Sequence, residues 1–351
     1  MTPVRVLAFY TRYPHWGAHG GFYQGVRHVR PAAVSATLRP VSDSQHPLNH
    51  GLRLIGVGRR MAWYKVSDLT AELRAWPACL ANALDVVHYM DGEHTGQYLQ
   101  RWIRRSRWSR VKTVATFHQP PELLSTLVNP CAIRDLDLVL VVSPTQESFF
   151  RQFLPASRVR TMLHGVDAAF FQPPSRPRLT DGVFRCLTVG HWMRDWGTIR
   201  AVAGILQACH DIEFHVVTAQ QTGLDGCPNV TTHRNVTGES LLRLYQDADV
   251  LLLPLINATA NNSLLEGMAC GLPVVSTRLK AVSVYVGEGA ATLIEANDPA
   301  QFAHAIAALR DDRASRRQMG RAARARAEEL AWPLVARQLE RTYTELAEGV
   351  P

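Results

Sequence analysis

The residues best suited to chemistry lie in one stretch of the C-terminal half, from Asp249 to Thr277. An apolar segment, Val250 to Leu255, leads through small and polar residues into a short helical segment that carries Glu266. A strand that ends in such a loop directs the N–H groups and positive dipole of the next helix to the edge of a parallel sheet. The stretch therefore predicts a phosphate site with one carboxylate beside it. The anion-binding N–H groups would come from Asn261, Asn262, Ser263 and Leu264.

This stretch resembles the donor-nucleotide site of the retaining glycosyltransferases of the GT-B fold, a family that includes sucrose synthases and many bacterial mannosyl- and glucosyltransferases. In that family the helix glutamate hydrogen-bonds the ribose hydroxyls of a sugar nucleotide, a role that falls on Glu266. A second glutamate usually precedes it, with seven residues between the two, and Ala258 stands at that position. The resemblance implies an α/β protein with two Rossmann-like, doubly wound domains that face each other across a cleft.

A second resemblance marks the end of the first domain. The family closes this domain with a strand, an Asn/His-Gly-Val-Asp turn and Phe-x-Pro, which correspond here to His164–Asp167, Phe171 and Pro173. The residues that follow are rich in proline and polar side chains, as in a linker. We therefore predict an N-terminal acceptor-binding domain at 1–172, a linker at 173–182, a C-terminal nucleotide-sugar-binding domain at 183–331, and a helix at 332–351 that packs back towards the N-terminal domain.

Apolar, strand-like segments alternate with helical ones in both halves, which is the pattern of doubly wound parallel sheets. The first half has predicted strands at Val4–Tyr10, Leu52–Ile55, Asp85–Tyr89, Val111–Phe117, Asp137–Val142 and Val159–Leu163. The second half has them at Phe184–Val189, Glu213–Val217, Val250–Leu255, Val274–Ser276 and Ala291–Ile294. Because ligands of such sheets gather at the carboxyl ends of the strands, polar residues directly after a strand are candidate site residues.

Two predicted strands of the first half end in such residues. His118 follows one of them, and the family places a histidine in this setting against the transferred sugar; taken alone, His118 could equally be a loop or buried histidine. Asp91, Glu93 and His94 follow another and are candidates for the acceptor side. They are either polar loop residues or the place where an acceptor hydroxyl enters, with one carboxylate as a base.

Gly20 and Gly21 lie just before a helical segment, and without a Cβ they allow either a tight turn or the close approach of a ligand. In the family, a glycine-rich loop at this place borders the donor phosphates and sugar. The neighbouring His15 and His19 are interpreted as loop residues, because no third ligand stands at metal-like spacing. We expect no metal in the site.

A positive charge is expected after the first strand of the second domain. The family has a Gly-Arg pair there and a Lys-Gly pair shortly afterwards, whereas His191 and Trp196 occupy the two cation positions here. Arg194, in the same loop, is the first candidate to neutralise the leaving diphosphate and His191 the second. The alternative for Arg194 is a solvated loop charge. Main-chain atoms from Arg234 to Val236 could contact the nucleobase.

Together these residues predict a hexosyltransferase that moves a sugar from a UDP- or GDP-sugar to a small-molecule, glycan or lipid-linked acceptor hydroxyl. The resemblance implies retention of anomeric configuration without a metal or cofactor. The departure at Ala258 leaves two alternatives. One is an inverting transferase of the same fold, with Asp91 or Glu93 as the base. The other is a non-catalytic subunit that binds a sugar nucleotide.

Composition agrees with a two-domain globular protein. The chain has 351 residues, of which 46% are hydrophobic and 19% charged, and its longest apolar runs have the length of strands. The N-terminus lacks the pattern of a signal peptide, and the six cysteines show no CxxC spacing. These features predict a cytoplasmic protein with reduced thiols.

The net charge of +8 predicts a polyanionic partner. Two segments, Arg59–Lys65 and Gln100–Lys112, mix cations with aromatic residues. They are either ordinary solvated surfaces or a peripheral contact with the anionic inner face of a membrane. Nucleic acid is not expected, because no motif of the common nucleic-acid-binding folds is present.

Overall fold

The computed structural model describes residues 2–12, 19–42, 61–175, 181–236 and 238–349. His15, the predicted strand Leu52–Ile55, Arg59 and part of the predicted linker lie outside these ranges. The chain divides into two compact units. Unit 1 comprises Met1–Trp16, Gly21–His164 and Trp332–Pro351, and unit 2 comprises Gly17–Gly20 and Gly165–Ala331. The division comes after His164, ahead of the predicted linker at 173–182.

Unit 1 is built on a parallel sheet with the strand order β2-β1-β3-β4-β5-β6. Its strands are β1 (Val4–Arg12), β2 (Val34–Ser42), β3 (Val86–Tyr89), β4 (Lys112–Phe117), β5 (Leu138–Val141) and β6 (Val159–Thr161). Its helices are α1 (Gln24–Arg27), α2 (Val66–Leu80), α3 (Leu99–Arg105), α4 (Pro121–Leu127), α5 (Pro130–Arg134) and α6 (Glu147–Phe150). Strands β3 and β5 are buried along their whole length, as in a sheet covered on both faces.

Unit 2 repeats this architecture with the order β12-β11-β10-β7-β8-β9, again all parallel. Its strands are β7 (Phe184–Val189), β8 (Ile212–Val217), β9 (Val230–His233), β10 (Val250–Leu253), β11 (Val274–Thr277) and β12 (Ala291–Ile294). Its helices are α7 (Trp196–Ile205), α8 (Gly238–Asp247), α9 (Asn262–Ala269), α10 (Lys280–Val286), α11 (Pro299–Asp311) and α12 (Arg313–Glu329).

The predicted sheet class is therefore confirmed, but two strands were missed. Both β2 and β9 are partly exposed along their length. Strand β2 lies at one edge of its sheet and contains Pro40, and β9 lies at the edge of the other. Edge strands need no continuous apolar run, so a search for such runs passes over them.

The last helix, α13 (Trp332–Glu348), belongs to unit 1. The Trp332 side chain is 1% exposed and its ring lies edge-on to Phe22, with the centroids 6.0 Å apart. Further along α13, the Tyr343 hydroxyl lies 2.7 Å from Nδ1 of the buried His88 on β3. Trp332 thus packs in the core of unit 1.

A buried carboxylate in unit 1 fixes the loop that follows β3. Glu72, on α2, is fully buried, and its two oxygens accept four backbone N–H groups at 2.6–3.1 Å. The donors are Gly96, Gln97, Tyr98 and Leu99, so the carboxylate also caps the start of α3. Buried carboxylates need such partners, and this one holds in place a loop that carries three predicted site residues.

All six cysteines are unpaired. Within the described ranges, no helix is both long and apolar enough to cross a membrane.

Candidate functional site

The residues predicted to bind an anion lie at the point in unit 2 where the strand order changes direction. Strands β7 and β10 are neighbours there, and each continues beyond its carboxyl end into a loop that carries predicted site residues. Ligands of doubly wound sheets bind at such switch points. The loop after β10 leads into α9, as predicted, and the loop after β7 contains Arg194.

The start of α9 is organised by its N-cap residue. The side-chain oxygen of Asn261 accepts the N–H of Leu264 at 3.1 Å and the Ser263 hydroxyl at 2.8 Å. Gly20, which belongs to unit 2, lies against this helix start, since a Cβ built on it would be 3.7 Å from Nδ2 of Asn262. The structure thus places Gly20, one of the predicted donor-binding residues, next to the start of α9.

Arg194 is a buried cation at this helix start, so its interpretation as a solvated loop charge is wrong. The side chain is 6% exposed. Its Nη2 donates to the Val189 carbonyl at 2.6 Å and to the Ser263 hydroxyl at 2.5 Å, while Nη1 donates to the Trp192 carbonyl at 2.9 Å. Burial lowers the pKa of Arg194 to about 10, which leaves it charged at neutral pH. These hydrogen-bond partners are neutral oxygens, so they do not cancel its charge.

The loop around Arg194 requires a glycine. Gly190 has φ +86°, and a Cβ at this position would lie 3.1 Å from Nη2 of Arg194. A side chain here would both strain the backbone and displace the guanidinium. His191 and Trp196, which occupy the two positions where the family has cations, lie close to Arg194 in the chain. The His191 carbonyl accepts the Arg194 N–H at 3.4 Å, and Trp196 is the first residue of α7.

Glu266 lies on α9 and is partly buried. Its Oε2 accepts a hydrogen bond from the hydroxyl of Tyr245, on α8, at 2.8 Å. Burial raises the pKa of the Glu266 carboxyl to about 7, against the opposing effects of the Tyr245 hydroxyl and the Arg194 guanidinium. The sequence analysis missed Tyr245. The available signal was an aromatic residue on the helix that leads into β10, a pattern equally typical of core packing.

The predicted nucleobase-contacting segment follows β9. Arg234 is exposed, and its Nη1 lies 3.3 Å from the Ala219 carbonyl, in the loop after the neighbouring strand β8. Asn235 has a positive φ of 55°, which turns the chain sharply before Val236. The segment thus follows the carboxyl end of an edge strand, and its contact with a nucleobase stays a prediction.

In unit 1, the predicted residues of the β3 and β4 ends converge. One oxygen of Glu93 accepts the N–H of His118 and, at 2.7 Å, the N–H of Gln119. Its other oxygen lies 3.7 Å from Nδ1 of His118. Asp91 accepts the N–H of Thr11, on β1, at 2.7 Å and places its second oxygen 4.0 Å from the same Nδ1.

This arrangement bears on the proposed acceptor base. Glu93 is 2% exposed and both of its oxygens face His118 or the backbone beside it, so it acts as an anchor for the end of β4. Asp91 is 8% exposed. His94 is also buried, with its ring 5.0 Å from that of Trp63. The geometry favours the interpretation of Glu93 and Asp91 as supports for His118.

The charge state of His118 should depend on Glu93. Burial works against the protonated imidazole, but the Glu93 and Asp91 carboxylates outweigh it and hold the pKa of His118 above its usual value. In an NMR titration we expect His118 to lose its proton at a higher pH than an ordinary histidine, and Glu93→Gln to lower that midpoint. Glu122→Gln, an exposed change in the same unit, is the control. An unchanged midpoint in Glu93→Gln would contradict the assignment.

Parts of the chain are similar in sequence to known glycosyltransferases. Residues 194–312 match the family model described as glycosyl transferases group 1. The D-inositol 3-phosphate glycosyltransferase of Arthrobacter sp. is 30% identical over 197 residues, which are 49% of this chain and 46% of that protein. The enzyme of the same name from Corynebacterium diphtheriae is 36% identical over 110 residues, 31% of this chain and 26% of that protein. The chain thus spans less than half the length of these curated relatives.

Solved structures match nearly the whole chain. Sucrose-phosphate synthase from Thermosynechococcus elongatus has a TM-score of 0.75 at 16% identity, over 99% of this chain and 100% of that one. Anabaena HepE in complex with UDP-glucose has a TM-score of 0.66 at 13% identity, over 97% and 99%. At these identities the likeness shows the fold.

Proposed function

We propose that this chain, which has the GT-B fold and whose residues 194–312 match the group 1 glycosyl transferases, is a glycosyltransferase with a nucleotide-diphosphate sugar as donor. One observation in unit 2 carries the proposal. The Glu266 carboxylate, the N-terminal end of α9 and the buried Arg194 guanidinium all lie at the switch point of the sheet. A nucleoside diphosphate offers the complementary groups, namely a ribose diol and two phosphates.

Each group has a distinct task in this reaction. The N–H groups of α9 and the charge of Arg194 stabilise the diphosphate, which gains negative charge as it leaves. Glu266 accepts hydrogen bonds from the ribose hydroxyls. Because fixed positive groups of the chain face the leaving group, we propose a metal-independent transfer. UDP- and GDP-sugars are the proposed donors, and HepE, a structure with this fold, was solved with UDP-glucose.

The remaining predicted residues complete the proposal. His118 contacts the transferred sugar, and the Gly20–Gly21 segment borders the donor phosphates, as the resemblance implies. The acceptor is a hydroxyl of a small molecule, a glycan or a lipid-linked sugar; the curated relatives are named for D-inositol 3-phosphate. We propose retention, because Glu93 is committed to the backbone and Asp91 is buried. Asp91 remains the base in the inverting alternative.

Incubation with a panel of UDP-, GDP- and ADP-sugars tests the proposal. We expect one donor to be slowly hydrolysed and the released sugar to carry, in an NMR spectrum recorded before mutarotation, the anomeric configuration of the donor. The opposite anomer would support the inverting alternative. Binding without turnover, even when acceptors are added, would support the non-catalytic subunit, and no binding at all would overturn the proposal.

We also propose that unit 1 contacts an anionic membrane surface through its helices α2 and α3 and the residues directly after α3, at the cytoplasmic face. Three apolar side chains are exposed there: Leu73 by 51%, Leu80 by 37% and Trp108 by 66%. Asn82 joins the two segments, since its side chain donates to the Trp108 carbonyl at 2.8 Å. Exposed cations flank them: Arg74, Arg101, Arg105, Arg107 and Arg110. We call these three apolar residues and five arginines the basic aromatic face.

Of the other predicted basic segment, Arg59–Lys65, the structure describes residues 61–65. Met61 and Tyr64 are each 3% exposed, so the part of Arg59–Lys65 that the structure describes packs into unit 1. Exposed apolar side chains beside exposed arginines suit a lipid headgroup region, where each cation contributes about 1 kcal/mol.

Vesicle co-sedimentation tests this contact. We expect the protein to bind vesicles that contain phosphatidylglycerol more strongly than vesicles of phosphatidylcholine alone. Replacing Trp108 by alanine and Arg105 and Arg107 by glutamine should weaken binding at least tenfold, because two charges and one indole are lost. Ile205→Ala, which removes an exposed apolar side chain of unit 2, is the matched control. Equal binding to both vesicle types would contradict the proposal.

A further inference from the structure

We propose that Tyr245 is a positioning residue that holds the Glu266 carboxylate in the orientation that receives the ribose of the donor. The inference rests on the function proposed above and gives a role to a side chain outside the predicted site. The Tyr245 hydroxyl donates to Oε2 of Glu266 at 2.8 Å, a direct contact between α8 and α9.

The tyrosine is itself held in place by its surroundings. Its side chain is 0% exposed, and its ring lies edge-on to that of Phe171, with the centroids 5.8 Å apart. A packed aromatic ring with one polar atom presents that atom at a fixed place. The hydroxyl therefore defines a fixed position for one oxygen of Glu266.

This fixed position matters because a glutamate side chain has three rotatable bonds. A free carboxylate would lose its rotamer freedom when it binds a ligand, at a cost in affinity, whereas a carboxylate that is already held avoids most of that loss. Tyr245 uses one lone pair of Oε2. The other acceptor positions of the carboxylate remain for the two vicinal hydroxyls of a ribose.

The charge of Glu266 depends on the groups that face it. These are Tyr245 from α8, Arg194 from the loop after β7 and Cys270, which directly follows α9, with Arg324 of α12 next to Cys270. Only the ionised carboxylate accepts hydrogen bonds from both hydroxyls at full strength. Burial raises the pKa of Glu266 to about 7, so loss of the hydrogen bond from Tyr245 would move the pKa further upward.

The test compares Tyr245→Phe with the wild type in two measurements. In protein with ¹³C-labelled glutamate carboxyl groups, the NMR titration midpoint of Glu266 should rise by about one pH unit in the variant, from the loss of one charge-assisted hydrogen bond. In donor kinetics at pH 7, KM should rise about tenfold with kcat changed less than twofold. Tyr285→Phe removes the hydroxyl of another fully buried tyrosine of unit 2 and should leave both quantities unchanged.

The outcomes separate this inference from the function it rests on. A midpoint and a KM that are the same in Tyr245→Phe and wild type would overturn the positioning role while leaving the donor site intact. A fall in thermal stability alone, equal to that of Tyr285→Phe, would also overturn it, because it indicates packing only. A raised midpoint in a protein that binds no sugar nucleotide would overturn the proposed function, and with it the ribose as the group that Glu266 receives.

Discussion

Replacing Arg194 by alanine is expected to reduce glycosyl transfer by about 10²-fold or more, the usual effect of removing a fixed charge that stabilises a transition state. The guanidinium lies at the start of α9 and bonds to the Ser263 hydroxyl, where the leaving diphosphate would gain its charge. The effect should fall on kcat as well as on KM, because the charge on the diphosphate is larger in the transition state than in the bound donor. Steady-state kinetics with the best donor of the panel measure it.

Arg194 also has a structural role that the experiment must separate. It donates to the carbonyls of Val189 and Trp192, so alanine would remove these hydrogen bonds and destabilise unit 2 by about 1–3 kcal/mol. Arg194→Lys keeps the charge without the planar fork and should recover part of the activity. Arg313→Ala, an exposed change on α12, is the matched control. A folded Arg194→Ala variant with near-normal turnover would exclude the cation from the reaction.

Glu266→Ala is expected to reduce transfer by a similar factor of about 10², because the ribose loses its acceptor. Here the loss should fall mainly on donor affinity, since the ribose does not change during the reaction. Glu266→Gln separates charge from shape, because the amide keeps the volume but offers one acceptor oxygen instead of two. We expect it to be impaired nearly as strongly as alanine. Donor KM and kcat measured for both variants provide the test.

Glu239→Ala is the control for these variants, since Glu239 lies on α8 with its side chain 80% exposed. Its kinetics should equal those of the wild type. If Glu266→Gln bound the donor as tightly as the wild type, the result would contradict the role of the Glu266 carboxylate in binding the nucleotide.

The sequence was most informative where local chemistry dictates local structure. The order from apolar strand through polar loop to helical segment predicted α9, and the alternation of strands and helices predicted both sheets. These features depend on neighbours in sequence, on N-cap preference and on continuous burial of central strands. Because these features are local, they were sufficient to predict the fold, and that prediction is confirmed.

What the sequence could not predict depends on contacts between distant segments. Whether Arg194 is solvated or buried is decided by the Val189 carbonyl and by Ser263, which lies far along the chain on another element. The sequence allowed Glu93 to be interpreted as a base. Spacing along the chain does not reveal that its carboxylate accepts the backbone N–H groups of His118 and Gln119. Tyr245 was missed because a tyrosine that fills a core and one that orients a carboxylate have the same local pattern.

The most direct test of the central claim, that Glu266 binds the ribose of a nucleoside diphosphate, is a calorimetric titration of wild type and Glu266→Gln. Each protein is titrated with the preferred nucleoside diphosphate and with its 2′,3′-dideoxy analogue. We predict that the wild type binds the ribonucleotide at least tenfold more tightly than the analogue, and that Glu266→Gln shows almost no preference. An equal preference in both proteins, or no binding of either nucleotide by the wild type, would contradict the claim.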